Sequence, residues 1–262
     1  MKRSRFPYVV LGLVLLFFYL PILILIINSF NASRFGAGWQ GFSLVWYKRL
    51  LHEPEIWAAA RNTLVIAVLV TAVSLVLGTV SALALHRFAR SRLQRVHYTL
   101  IYTPLVVPEI LMGISLLMAF VAAGVSLGLT TIFLAHVTFC ISYVALVVLG
   151  RLQDFDYSIV EAAQDLGAGW WMAMRRVLLP LLAPGLAAGG LLAFTLSVDD
   201  FVITFFVAGP GATTLPIRVY SMIKHGATPL INALSTILLI LTFTVVFVSQ
   251  RLSRTNILKG GV

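Results

Sequence analysis

Three of the nine acidic residues, Glu109, Asp199 and Asp200, fall inside long apolar runs rather than in polar loops. A carboxylate at membrane depth is costly to hold, so such groups face a bundle interior, a partner or water. The chemistry open to them is cation binding or proton exchange. Counted from the same side of the membrane, Glu109 stands 11 residues into its run and Asp199 14 residues into its own. At roughly 1.5 Å per residue their depths differ by about 4–5 Å, so the two acids can line one site. Glu109 follows Pro104 and Pro108. Proline inside a helix removes a backbone hydrogen bond and kinks the chain, which places freed carbonyls beside the carboxylate. The plainer role for Glu109 is a hydrogen bond that holds the bundle together. Asp199 and Asp200 repel each other unless a cation or proton relieves them. They point about 100° apart on a helix, so one faces the path while the other packs or caps. That divergence argues against a catalytic dyad. Phe194, Phe201, Phe205 and Phe206 surround the pair in sequence, and Phe201 and Phe205 share a helical face. Taken singly, each of these rings has a plainer use against lipid or a neighbouring helix.

The elements that must carry these residues are set by composition. Of 262 residues, 60% are hydrophobic and 11% charged, where a soluble domain has roughly 25% charged residues. Mean hydropathy is +0.99. Apolar runs of spanning length, about 20 residues, fall at 8–29, 62–85, 98–120, 131–150, 185–208 and 230–250. None alternates as a barrel strand does, so the spans are helices that satisfy their own backbone. The expectation is an all-α polytopic membrane protein with six transmembrane helices in a single domain over 1–262. The first run follows Lys2, Arg3 and Arg5, but it is too long for a signal-peptide core and reads as an uncleaved anchor. Cys140 has no intrachain partner and reads as a packed residue.

Charge placement orients the spans. Thirteen of the 19 basic residues lie at the N-terminus, between spans two and three (Arg87, Arg90, Arg92, Arg95), between four and five (Arg151, Arg175, Arg176), and in the tail. The positive-inside rule then puts both termini in the cytoplasm. The same asymmetry explains the net charge of +10 without nucleic acid as a partner.

The second inside loop, 151–184, holds Asp154, Asp156, Glu161 and Asp165. Ser158 and Glu161 have the spacing of a capping box, which predicts a helix start. Gly167 predicts its stop, and a second short helix is expected to run to Pro180. A helix-turn-helix with mixed charge and Trp170, Trp171 and Met172 suits a protein contact, although a purely structural loop has the same composition. Elsewhere His136, Cys140 and Tyr143 form a stripe at helical spacing, open to a metal or proton site but more simply to interhelical hydrogen bonds. Arg218, Lys224 and His225 fall in the last outer loop, where they either touch a binding protein or are simply solvated. The chain has no G-x-x-x-x-G-K-[ST] loop, so it does not cradle ATP that way. It also lacks HExxH, GxSxG and CxxC.

Glu161-Ala162-Ala163, Gly167 and Leu179-Pro180 resemble the EAA loop of permease subunits of type I ATP-binding-cassette importers. Everything from about span two onward looks like that permease domain. The resemblance implies that Glu161, Ala162, Ala163, Asp165 and Gly167 carry the contact with an ATPase dimer, through coupling helices that fit a groove on it. A narrower likeness lies in Ser197-Val-Asp199-Asp200-Phe201, Gly209-Pro-Gly-Ala-Thr-Thr-Leu215-Pro216, Asn28-Ser-Phe-Asn31 and Trp39-Gln-Gly-Phe42, which look like the second permease subunit of spermidine/putrescine importers. It implies a substrate path through Asp199, Asp200, Glu109, Phe201 and Phe205, suited to a flexible polycation with apolar methylenes. It further implies a bacterial inner-membrane location, a second homologous permease subunit and an extracytoplasmic substrate-binding protein, with lipid around the whole. No catalytic residue, metal or cofactor is expected on this chain, and ATP and Mg would belong to the partner ATPase. The rival readings are a permease for another small substrate and an ATP-independent cation channel, in which acidic residues alone select the ion.

Overall fold

The computed structural model describes residues 6–34, 38–88, 92–153, 155–226 and 229–259, with side chains described to Thr244 in the last helix. The basic residues placed at the N-terminus, together with Arg90 and Asp154, lie outside the described residues. In chain order the helices are α1 (Phe6–Ser29), α2 (Val45–Leu51), α3 (Pro54–Arg87), α4 (Arg92–Val106), α5 (Glu109–Ala122), α6 (Leu129–Gln153), α7 (Ser158–Asp165), α8 (Trp170–Ala173), α9 (Leu179–Asp199), α10 (Val202–Val207), α11 (Leu215–Lys224) and α12 (Pro229–Lys259). Among the described residues no strand occurs, only an isolated bridge between Asn31 and Phe42. The all-α class follows.

Of the six expected spans, the third and the fifth take a different form. Among the described residues four helical stretches are long and apolar enough to cross a bilayer: Phe6–Ser29, Pro54–Arg87, Leu129–Gln153 and Trp170–Asp199. The predicted third span is a broken pair, Leu93–Val106 and Glu109–Ala122, bent by 113°. Pro108 at the junction has ψ 136, which turns the chain out of the helix. The expected sixth span, 230–250, lies within α12, whose described side chains run apolar over Pro229–Thr244.

The predicted fifth span is also redrawn. No helix ends at Pro180: α8 continues through a π-helical turn, Met174–Leu178, directly into α9. Proline lacks an N–H and crowds the preceding turn, and the widened π turn just before Pro180 absorbs that fault without ending the helix. The span therefore begins near Trp170 rather than at residue 185, and it stops at Asp199 instead of running on to 208.

The contacts divide the chain into two units, Trp57–Arg218 and a second one made of Met1–Ile56 with Val219–Val262. The core of the first is centred on α6, with Ile132, Ala135, Cys140, Val144 and Val148 fully buried. Small residues let neighbouring helices approach it closely, as is usual where lipid supplies no hydrophobic drive between helices. A Cβ on Gly78 of α3 would stand 2.7 Å from Val144 Cβ, so only glycine fits there. In the second unit Asn31 organises the segment after α1. Its Oδ1 accepts the N–H groups of Ser33 at 3.1 Å and Gln40 at 2.9 Å, and its carbonyl accepts the indole N–H of Trp46 at 2.9 Å. The residues quoted from that segment for the narrower likeness are thus also its structural fasteners.

Candidate functional site

Helix α9 ends at Asp199 because Asp200 leaves the helical conformation, with φ −62 and ψ 121. The Asp200 carboxylate then accepts the backbone N–H of Thr204 at 2.8 Å and of Ile203 at 3.4 Å. Satisfying the first free N–H groups of α10 is the work of an N-cap, here needed at a depth where water is scarce. One acid thus ends one helix and starts the next. The expected split between a capping and a facing aspartate is visible: Asp200 caps, while Asp199 is exposed on a cavity.

A buried polar cluster surrounds the cap. Thr204 Oγ1 donates to Asp200 Oδ2 at 2.6 Å. His136 of α6, 1% exposed, places Nε2 2.8 Å from Thr204 Oγ1 and 3.1 Å from Asp200 Oδ2, and Nδ1 2.8 Å from Ser197 Oγ. The one proton of the Thr204 hydroxyl is committed to Asp200, so we assign the Nε2 proton to His136, which then donates toward both oxygens. Of the stripe at helical spacing, His136 makes these interhelical bonds and Cys140 approaches the Ala193 carbonyl at 3.6 Å. Tyr143 lines the cavity. Among the described residues no group of three His, Cys, Asp or Glu side chains could hold a metal. Sequence reasoning missed Ser197 and Thr204 as partners. The available signal was their position one turn before and one turn after the paired acids.

Two helix breaks meet here. Helix α10 packs on α5, with the Phe206 ring so close to Gly113 that a Cβ would approach it to 2.7 Å. Glu109, in the first turn of α5 just past the Pro108 break, therefore comes to the same cavity as Asp199. That cavity has a volume of about 250 Å³, and Tyr143, Phe139 and Phe201 also line it. Of the residues expected on a path, Asp199, Asp200, Glu109 and Phe201 line it together. Phe205 does not; it is exposed, with its ring centroid 5.5 Å from that of Phe201.

The segment from Asp156 to Leu178 forms a second candidate region. Helix α7 begins at Ser158 but not through the expected capping box, since neither Ser158 nor its predecessor makes a side-chain cap. Asp156 does this instead, its Oδ1 accepting the Ser158 N–H at 3.0 Å. An aspartate two residues upstream holds the same donor, which draws Ser158 into the helix rather than leaving it at the cap. The Ser158 hydroxyl, and then its N–H, keep the Asp156 carboxyl below the ordinary carboxylate range.

Gly167 ends α7 as expected. At φ +92 it donates to Gln164 O at 2.8 Å, and Ala168 donates to Ala163 O at 3.0 Å, the paired bonds of a Schellman turn. Glu161, Ala162, Asp165 and Gly167 are exposed and Ala163 is half-buried. Leu166 is 90% exposed, and Trp170 and Trp171 are also exposed, which makes an apolar face on an otherwise polar hairpin.

Residues 74–257 match the family model of the binding-protein-dependent transport system inner membrane component. Among curated proteins, the spermidine/putrescine transport system permease protein PotC of Escherichia coli (strain K12) is 42% identical over 238 residues, covering 91% of this chain and 90% of that one. PotC of Haemophilus influenzae is 40% identical over 254 residues, 97% of each chain. The putrescine transport system permease protein PotI of Escherichia coli (strain K12) is 44% identical over 243 residues, 90% of this chain and 86% of that one. Among solved structures, a chain of a bacterial ABC transporter involved in the import of the acidic polysaccharide alginate aligns with TM-score 0.75 at 19% identity. The alignment covers 96% of this chain and 98% of that one. At that identity the likeness concerns the fold.

Proposed function

Because the chain belongs to the family of binding-protein-dependent transport system inner membrane components, we propose that it forms half of the pore of an ATP-driven importer whose cargo is a polyamine. It is a multi-pass protein of the inner membrane, with the fold of ABC-importer permeases. Its relatives PotC and PotI are named for spermidine and putrescine transport, and the likeness runs over at least 90% of this chain.

One observation in the molecule carries the cargo assignment. Two helix breaks bring Glu109 and Asp199 to a single cavity, with Phe201, Phe139 and Tyr143 beside them. A polyamine is a chain of ammonium groups separated by methylenes. Carboxylates compensate the first, and ring faces accept both the methylenes and the adjacent cations. The cavity of about 250 Å³ is small enough to hold a narrow linear cation in close contact with its walls.

Energy enters elsewhere in this reading. The exposed α7 hairpin, through Glu161, Ala162, Ala163, Asp165 and Gly167, is the docking element for an ATPase dimer. The ATPase binds ATP and Mg, and this chain binds no cofactor. A second homologous permease completes the pore, and an extracytoplasmic binding protein delivers cargo to the face opposite α7. Both termini are then cytoplasmic, as the basic residues suggest. ATP-driven closure of the ATPases moves the hairpins and opens the pore alternately to each side.

The test is uptake of labelled spermidine into vesicles containing the full complex. Uptake should require ATP and the co-expressed ATPase. Flux that persists without ATP would point to a cation channel, and ATP-driven uptake of a different solute in preference to polyamines would overturn the cargo.

A further inference from the structure

We propose that His136 is a positioning residue for the cargo: by bracing the α9–α10 break it makes Asp200 a strut and leaves Asp199 as the acid that meets the cation. The assignment of a cargo rests on the reading above; the brace itself does not.

A carboxylate offers about four acceptor sites. On Asp200, Oδ2 receives the Thr204 N–H, the Thr204 hydroxyl and the His136 Nε2 proton, and Oδ1 receives the Ile203 N–H at 3.4 Å, all within the chain. Its side chain is 6% exposed. Binding an ammonium group at Oδ2, or turning the carboxylate to meet one, would require breaking these bonds at a depth where water does not replace them. Asp199, the next residue back, is exposed on the cavity shared with Glu109.

His136 reaches both sides of the break. Nδ1 holds Ser197, one turn before it, and Nε2 holds Thr204 and Asp200 after it. An unbraced break can slide by one residue. Such a slide turns a helix by about 100° and would carry Asp199 off the cavity. His136 belongs to α6, the centre of the buried core, so the brace ties the break to the most deeply packed helix.

Two variants separate the halves of the brace. Asn at position 136 reproduces the Nδ1 side of imidazole and keeps Ser197; Gln reproduces the Nε2 side and keeps Thr204 and Asp200. The first measurement needs no cargo: Asp199→Cys in the assembled complex is labelled with a small charged thiol reagent, the native Cys140 being buried. Labelling at position 199 should slow about ten-fold with His136→Asn and stay within about two-fold with His136→Gln, as for loss and retention of a bond to a charged group. Equal labelling in all three backgrounds overturns the brace.

The second measurement is ATP-driven spermidine uptake in a cycle of His136→Asn with Asp199→Asn. His136→Asn should cost about ten-fold alone and under about two-fold once Asp199 is already neutral, because one acts through the other. The same fold-loss in both backgrounds would mean that His136 only supports the fold, and the proposal falls. If the wild type imports no polyamine, the cargo assignment fails while the labelling still decides the brace. Should His136→Asn fail to assemble, Thr204→Val removes one hydroxyl from the brace and carries both measurements.

Discussion

Gly167 gives the most direct test of whether the α7 hairpin transmits force. Its φ of +92 lies in the left-handed region, where a side chain costs about 1–2 kcal/mol. A Cβ there would meet nothing within 4 Å, so replacement adds strain without a clash. The strain falls on the two closing bonds, Gly167 N–H to Gln164 O at 2.8 Å and Ala168 N–H to Ala163 O at 3.0 Å. Helix α7 is 8 residues long and buries none of them. A helix that short is marginal by itself, so its cap is a large part of what keeps it closed. A cost of about 1–2 kcal/mol lowers the closed population of the last turn roughly 5- to 30-fold. Asn tolerates the left-handed region better than Ala, and β-branched Val tolerates it least. ATPase stimulation by cargo-loaded binding protein should therefore fall in the order Gly, Asn, Ala, Val. The melting temperature of the complex should stay unchanged, because no core contact is lost. Wild-type stimulation by Gly167→Val would refute the docking assignment. A melting temperature that drops in step with activity would refute the claim that the damage is local.

Four further outcomes are expected. Asp199→Asn and Glu109→Gln should each reduce spermidine uptake at least about ten-fold with assembly intact, since each removes one charge from the shared cavity; wild-type rates in both would sink the carboxylate path. Gly78→Ala should lower the melting temperature, overpacking costing about 1–3 kcal/mol. Val144→Ala should rescue it only in part, because Val144 Cβ, at 2.7 Å from the new atom, remains. Asp156 has a folded-state pKa below its ordinary value, so its support of α7 is complete above that value and is lost only as pH falls through the lower folded one. Amide exchange at Ser158 should therefore rise in strong acid or in Asp156→Ala, and not near neutral pH. Cys140, fully buried on α6, should resist thiol reagents until the protein is unfolded.

How much of the fold could be read ahead depended on how local its causes were. Helical spans follow from hydropathy run by run, and the α1, α3 and α6 regions were placed within their observed helices. Breaks and continuations were harder. Pro108 ends a helix but Pro180 does not, and the difference is not in the prolines. It lies in what surrounds them: a π turn precedes Pro180, whereas the chain at Pro108 leaves the helix altogether. The turn chemistry of Gly167 was legible because glycine is nearly alone in reaching positive φ cheaply. The start of α7 differs from the expected capping box because Asp156 and Glu161 compete for one backbone donor, the Ser158 N–H, and the carboxylate two residues upstream prevails.

The site shows the same limit from the other side. That one of two adjacent aspartates must turn away follows from helical geometry, but which one does so depends on a partner from another helix. His136 lies 64 residues from Asp200 in sequence, and spacing alone offered it only as part of a stripe with Cys140 and Tyr143. Once His136 and Thr204 claim Asp200, the paired acids cease to be equivalent: one stabilises the broken helix, and the break presents the other. A carboxylate carried on an unsupported break would be free to neutralise itself against backbone donors nearby. On the proposed reading the brace prevents this, and the acid that binds no cation keeps its neighbour available to one.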